Sequence, residues 1–142
     1  MKPFELTFED INPIICSLAD KIKKYKPTMI AGIARGGLTP AVMLSHYLNI
    51  PMESILWQTR DGGTKEDNEV VAAAIGAGVP VVFIDDINDS GTTMTQIKDH
   101  YGNGIFVCLV EKKQSEFTCD HAGMITDTDR WINFPWELKA DE

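Results

Sequence analysis

The sequence predicts an α/β fold with a central parallel sheet flanked by helices, and two observations carry that reading. Apolar runs of strand length recur at residues 29–34 (MIAGIA), 81–84 (VVFI) and 105–110 (IFVCLV), each without polar alternation. That is the pattern of strands covered on both faces. The first two runs then pass through a polar, glycine-containing turn into a stretch of helical character, giving repeated strand–turn–helix units. In such sheets ligands bind beyond the carboxyl ends of the strands, so those turns are the first place to look for function. The 142 residues suit one domain spanning 1–142.

Taken in order, residues 6–25 read as an amphipathic helix, with Phe8, Ile11, Ile15, Leu18, Ile22 and Tyr25 at three- and four-residue steps. Thr7 is the expected N-cap, and Pro13 is tolerable because it lies near the helix start. Lys21, Lys23, Lys24 and Lys26 crowd the far end, either as a solvated helix end complementing the dipole or as a basic patch for a partner. After the 29–34 strand comes Arg35-Gly36-Gly37, then a helix from Thr39 or Pro40 through Leu48, with Thr39 capping it. Residues 52–57 read as the next strand. The polar segment 58–68 (QTRDGGTKEDN) reads as a mobile functional lid or a plain surface loop. A short helix at 70–75 leads to the strand at 81.

The stretch 81–93, VVFIDDINDSGTT, organises the rest. Asp85 and Asp86 stand where the strand is expected to end, Asn88-Asp89-Ser90-Gly91 forms a loop, and Thr92-Thr93 opens a helix that Gly102 and Gly104 terminate. Free amides and hydroxyls at a helix start suit a phosphate, and adjacent carboxylates suit a sugar diol or a hard cation such as Mg²⁺. The ligand described is a sugar phosphate with a metal. Arg35-Gly36-Gly37 adds a second anion site, since glycines let backbone amides approach closely and arginine supplies a permanent charge; a tight turn with a surface arginine is the plain alternative. Glu111-Lys112-Lys113 follows the 105–110 strand on the ligand side, residues 115–128 are loop-like with a short strand, and Trp131, Phe134 and Trp136 crowd the tail. Those aromatics serve as an apolar cover or as a flat surface for a ligand ring.

Several classes are disfavoured. The net charge of −8 speaks against general nucleic-acid binding. The phosphate loop G-x-x-x-x-G-K-[ST] is missing, as is a G-x-G-x-x-G after a strand. Cys16, Cys108 and Cys119 form no C-x-x-C pair, so buried or idle thiols in a reducing compartment are expected rather than a disulfide framework or zinc site. The start, MKPFELTFED, has no apolar leader and no run reaches membrane-spanning length, giving the expectation of a soluble, cytoplasmic protein with no membrane partner.

The 81–93 stretch resembles, position by position, the phosphoribosyl-diphosphate (PRPP) signature of the type I phosphoribosyltransferases: apolar run, two acids, two spacers, Asp, Ser or Thr, Gly, one variable residue, Thr. GIARGGLTPAVMLSHYL resembles the diphosphate loop of that family, and DRWINFPWE resembles the tail of the bacterial xanthine-guanine subgroup. The resemblance implies the type I phosphoribosyltransferase fold, with a small hood built from the chain ends and mainly from 111–142. It implies transfer of phosphoribose from PRPP to a 6-oxopurine (guanine, xanthine or hypoxanthine) with Mg²⁺ as cofactor, in a homodimer or homotetramer. On the matching positions, Asp85 and Asp86 hold the ribose hydroxyls, with Asp86 the metal contact. Asp89 manages a proton near N7, and Ser90, Gly91, Thr92 and Thr93 wrap the 5′-phosphate. Arg35, Gly36 and Gly37 meet the diphosphate, with Ala34–Arg35 a candidate cis peptide. Lys112 reads the purine O6, Trp131 stacks on the ring, and the Ile132 carbonyl faces the 2-position. One departure stands out: the Ser-Tyr pair common in the mobile loop is replaced by Thr59-Arg60, leaving Arg60 and Lys65 as guesses for diphosphate contacts. The alternatives are a transferase for another base and a PRPP-sensing regulator. The short acidic chain and Asp89 weigh against the regulator, and Lys112 with Trp131 favours a 6-oxopurine.

Overall fold

The computed structural model describes residues 2–59 and 63–139. Five parallel strands form the main sheet in the order β3-β2-β4-β5-β6, with β2 at Met29–Ala34, β3 at Met52–Leu56, β4 at Val81–Asn88, β5 at Ile105–Lys112 and β6 at His121–Thr126. Helices α1 (Phe8–Ile22), α2 (Leu38–Leu48), α3 (Glu69–Gly76) and α4 (Thr92–Tyr101) complete the layers. Val82 and Ile84 pack with Ile11, Leu18 and Leu44 on one side of the sheet. Val81 and Phe83 pack with Val71, Met94 and Ile97 on the other. Both faces of β4 are therefore dry over residues 81–84, which is why that run lacks polar alternation. Among the described residues no helix is long and apolar enough to cross a membrane.

The first helix begins at its expected cap, where Thr7 and Asp10 form a reciprocal capping box. It ends at Ile22, followed by a 3₁₀ turn at Lys23–Tyr25 and left-handed Lys26. Phe8 is half-exposed against Trp136 instead of joining the buried stripe.

Three expectations shift, and one strand pairing adds to the picture. The α2 helix starts at Leu38 with Gly37 as N-cap and no capping side chain, so Thr39 is not the cap; Pro40, at the third position, still lacks an N–H only where none is needed. Strand β3 stops at Leu56, and Trp57 makes an isolated antiparallel bridge to Lys65. The acidic pair does not end β4, which runs on to Asn88 because β5 continues beside it, with Asp85 opposite Cys108 and Asn88 opposite Glu111. Finally, a two-residue strand β1 (Phe4–Glu5) pairs in parallel with β7 (Ile132–Asn133), tying the two chain ends into the small hood.

Candidate active site

At Asp85-Asp86 the sheet opens on one side. Pairing of β2 with β4 ends at Gly32 opposite Ile84, while β5 carries on along the other edge. The freed amides turn to the carboxylates themselves: Asp86 N–H donates to Asp85 Oδ1 at 2.8 Å and Ile87 N–H to Asp86 Oδ1 at 2.7 Å. Ile84 and Ile87, three residues apart, both pack towards the α1–α2 side, so strand alternation slips by one across the pair. Burial pushes the Asp85 carboxyl well above the usual carboxylate range, and repulsion from Asp86 adds to it. Burial raises Asp86 as well, with the Glu137 carboxylate pushing the same way.

Beyond Asn88 the chain turns through Gly91, whose φ of +93° places it in the left-handed region, into α4. The N-cap, Gly91, offers no side chain; Thr92 N–H donates to Ser90 Oγ at 3.3 Å, and the rest of the first turn keeps the unpaired amides of a helix start, with the Ser90, Thr92 and Thr93 hydroxyls beside them. Ser90 Oγ donates to Thr92 Oγ1 at 3.0 Å, and Thr93 Oγ1 meets Thr59 Oγ1 at 3.2 Å. Asp89 is exposed and accepts a bond from Gln114 Nε2 at 3.1 Å.

The second loop lies across the open edge. The Ala34–Arg35 peptide is cis, Arg35 is exposed, and Gly36 presses against the acidic pair. A Cβ on Gly36 would collide with the Asp86 carboxylate. Gly37 is not on the cleft wall: its N–H bonds the Ile33 carbonyl at 2.8 Å, and a Cβ there would strike Ile84 and Ile33 backbone atoms. A divalent cation such as Mg²⁺ fits these residues. The donors are hard carboxylate oxygens, burial gives their charges reason to seek a counter-ion, and the missing Gly36 side chain keeps the approach to Asp86 open.

The opposite wall belongs to the hood. Lys112 is buried, and its Nζ donates to the Thr128 carbonyl at 2.6 Å. Trp131 is 54% exposed. The hood ladder uses the Trp131 and Asn133 carbonyls, bonded by Phe4 and Leu6 N–H at 2.7 and 2.9 Å. Alternation along β7 turns the intervening Ile132 carbonyl to the other edge. Together these walls enclose a cleft of about 580 Å³ lined by Arg35, Gly36, Asp85, Asp86, Asp89, the Ser90–Thr93 turn, Lys112, Trp131 and Ile132.

Sequence reasoning gave no role to Thr59, Gln114, Thr128 or Glu137, all of which line the same cleft. Thr59 stands in the segment read as lid or loop, Thr128 in a stretch read as loop-like, Gln114 between Lys113 and that stretch, and Glu137 in the quoted tail, none with an assigned duty. Residues 64–66 run back beside 56–58 at the end of β3, with Gln58 N–H on Thr64 O and Glu66 N–H on Leu56 O, each at 2.9 Å. Lys65 Nζ lies over the Trp57 ring, 5.7 Å from its centroid, and Arg60 lies outside the described residues.

A phosphoribosyl transferase domain model matches residues 6–142. A xanthine-guanine phosphoribosyltransferase of Gluconobacter oxydans (strain 621H) is 31% identical over 125 residues, 84% of this chain and 74% of the relative. A solved purine phosphoribosyltransferase from Pyrococcus horikoshii Ot3 shares 30% identity at a TM-score of 0.79, covering 100% of this chain and 98% of that one. A hypothetical protein from Neisseria gonorrhoeae with bound ppGpp shares 25% identity at a TM-score of 0.70, over 97% and 91% of the two chains. The matched span takes in both cleft loops, the whole main sheet and the hood strand β7, and the chain belongs to the phosphoribosyl transferase domain family.

Proposed function

We propose that this protein joins a 6-oxopurine base (guanine, xanthine or hypoxanthine) to PRPP, giving a nucleoside 5′-monophosphate and diphosphate. The observation that carries the reading is the single cleft in which two anion-binding turns, an acidic pair and the Lys112–Trp131 wall meet. Its volume of about 580 Å³ is in the range of small-molecule sites.

Displacing diphosphate from C1 builds positive charge on the ribose ring and negative charge on the leaving group. Asp85 and Asp86 hold the ribose hydroxyls, and their charge favours the cation-like ring. The Ser90–Thr93 amides and hydroxyls hold the 5′-phosphate at the α4 N-terminus, while Arg35 and the Gly36 amide meet the departing diphosphate. Mg²⁺, held by Asp86, would supply further neutralisation of that leaving charge. Asp89 faces N7 and handles the base proton, with Gln114 orienting its carboxylate. Lys112, whose Nζ also donates to the Thr128 carbonyl and is held in place by it, donates to O6, Trp131 stacks on the ring, and the Ile132 carbonyl reads the 2-position. The cytoplasm is the compartment and a homodimer or homotetramer the assembly in this reading.

The test is a diphosphate-release assay with PRPP, Mg²⁺ and hypoxanthine, guanine, xanthine, adenine, uracil or orotate. Turnover is expected with a 6-oxopurine and not with the pyrimidines. Absence of turnover with all three 6-oxopurines would refute the proposal.

A further inference from the structure

Two buried polar residues stand at the ends of adjacent strands, beside the cleft contacts just described. Asn88 closes β4 and is 2% exposed; Glu111 lies near the end of β5, is 7% exposed, and is its register partner. Asn88 Nδ2 donates to Glu111 Oε1 at 2.9 Å and to the Phe117 carbonyl at 2.6 Å, while Asn88 Oδ1 meets Ser115 Oγ at 3.0 Å. The same Glu111 oxygen accepts the Cys119 N–H at 2.7 Å. One amide and one carboxylate therefore knot together two strand ends and the 115–119 connection.

The knot extends to the phosphate turn. Glu116 N–H donates to the Ser90 carbonyl at 3.0 Å, and Gly91 lies so close to Phe117 N and Ser115 Oγ that a Cβ would not fit. The thiols of Cys108 and Cys119 gather with a Glu111 oxygen within 4.8 Å. Hydrogen bonding with Cys108, burial and the neighbouring carboxylate hold the Cys119 thiol protonated. Glu111 Oε1 accepts two N–H donors and the Cys119 thiol keeps its proton, so the cluster serves as hydrogen-bonded support of the strand ends.

A buried carboxylate is costly unless well bonded, and an apolar pair would fill the same volume more cheaply. The position of this pair explains its retention: Asn88 immediately precedes Asp89, and Glu111 immediately precedes Lys112. Resting on the transferase reading above, we propose that Asn88 and Glu111 form a positioning pair that fixes the separation of Asp89 from Lys112 and so registers the purine ring against the ribose. Asn88 borders the cleft, but its amide nitrogen and oxygen are both bonded to protein partners, and Glu111 lies behind it, off the cleft wall. A pair that aligns two reacting partners, without binding either, acts on turnover more than on KM.

The experiment compares wild type, Asn88→Asp, Asn88→Ala and the double variant Asn88→Asp/Glu111→Gln in steady-state diphosphate release, with thermal unfolding of each. Asn88→Asp sets a carboxylate against Glu111. Adding Glu111→Gln restores one donor–acceptor bond with reversed polarity. The expected result is a kcat at least tenfold lower for Asn88→Asp, KM for PRPP and base changed less than threefold, and at least threefold recovery in the double variant. Asn88→Ala should show the same kcat loss, and it decides the matter if Asn88→Asp does not fold. Effects confined to Tm or KM, or no recovery in a folded double variant, would overturn the pair's role. An inactive wild type would instead count against the transferase reading itself.

Discussion

Gly36→Ala separates stability from activity at the acidic pair. The new Cβ would sit 2.7 Å from Asp86 Oδ1 and nearer still to Oδ2, whereas ordinary contact begins at 3.4 Å. The carboxylate must therefore retreat by about 0.7 Å or more. Its retreat weakens the 2.7 Å bond from Ile87 N–H, a loss of about 1 kcal/mol. For a chain of this size that lowers Tm by about 4 °C. Catalysis suffers more, because displacing a positioned group by ~1 Å costs up to ~100-fold, or about 2.7 kcal/mol of barrier. Initial rates at saturating PRPP and Mg²⁺ should thus fall about 30–100-fold. Gly76→Ala is the control: nothing lies within 4 Å of its Cβ, so rate and Tm should hold. A Gly36→Ala enzyme within threefold of wild-type kcat would refute the reasoning, since Asp86 could then move freely without consequence.

Other outcomes follow from the same geometry. Asp89→Asn should lower kcat while leaving PRPP binding, measured by calorimetry, within about threefold; wild-type turnover would remove its proton-handling role. Trp131→Ala should raise KM for the base about 5- to 100-fold, the worth of one stacking contact, with KM for PRPP unchanged; equal effects on both would place Trp131 elsewhere in the mechanism. Asp86→Asn carries a pH signature. A carboxyl raised above its usual 3.8 in the folded chain holds its proton where the unfolded chain has lost it. The stability this gives is fully present below the unfolded value and is lost as pH rises through the folded one. The metal-free Asn variant should therefore gain Tm over wild type as pH is raised from about 4 to 7, and a gap that does not widen contradicts burial as the cause.

What the sequence made legible depended on whether the signal was local. The β2 run matched Met29–Ala34 residue for residue because both faces of that strand are buried, leaving no polar position to blur the pattern. Thr7 was readable because a capping box needs only four consecutive residues. By contrast, Phe4–Glu5 is too short to show any periodicity and is a strand only because Ile132–Asn133 lies beside it. The length of β4 was misjudged for a related reason: Asp85-Asp86 looks like an ending, yet β5 supplies partners for two further residues, Ile87 and Asn88. Gly36 and Gly37 look alike in sequence, but one faces the Asp86 carboxylate and its neighbour faces strand backbone.

The meeting of the two anion-binding turns has a topological cause. From β2 the chain passes through α2 to β3 on one side, whereas from β4 it passes through α4 to β5 on the other. Strand order reverses between β2 and β4, and at such a switch point the two following turns diverge and leave a crevice above the carboxyl ends. Here the divergence goes further, because β2 stops pairing with β4 after Gly32–Ile84 while β4 continues to Asn88. The unpaired edge receives the cis Ala34–Arg35 turn on one side and presents the acidic pair on the other. Residues about fifty positions apart in sequence thereby face one cleft, Arg35 and Gly36 opposite Asp85 and Asp86. This also reconciles an acidic chain with the anionic substrate proposed for it. The net charge of −8 belongs to the whole molecule. Within the crevice, the amides at the start of α4 and the Arg35 guanidinium set the local field. The acidic pair lines the same crevice, which is where the proposed transferase reading puts the sugar ring that joins two phosphate-bearing ends.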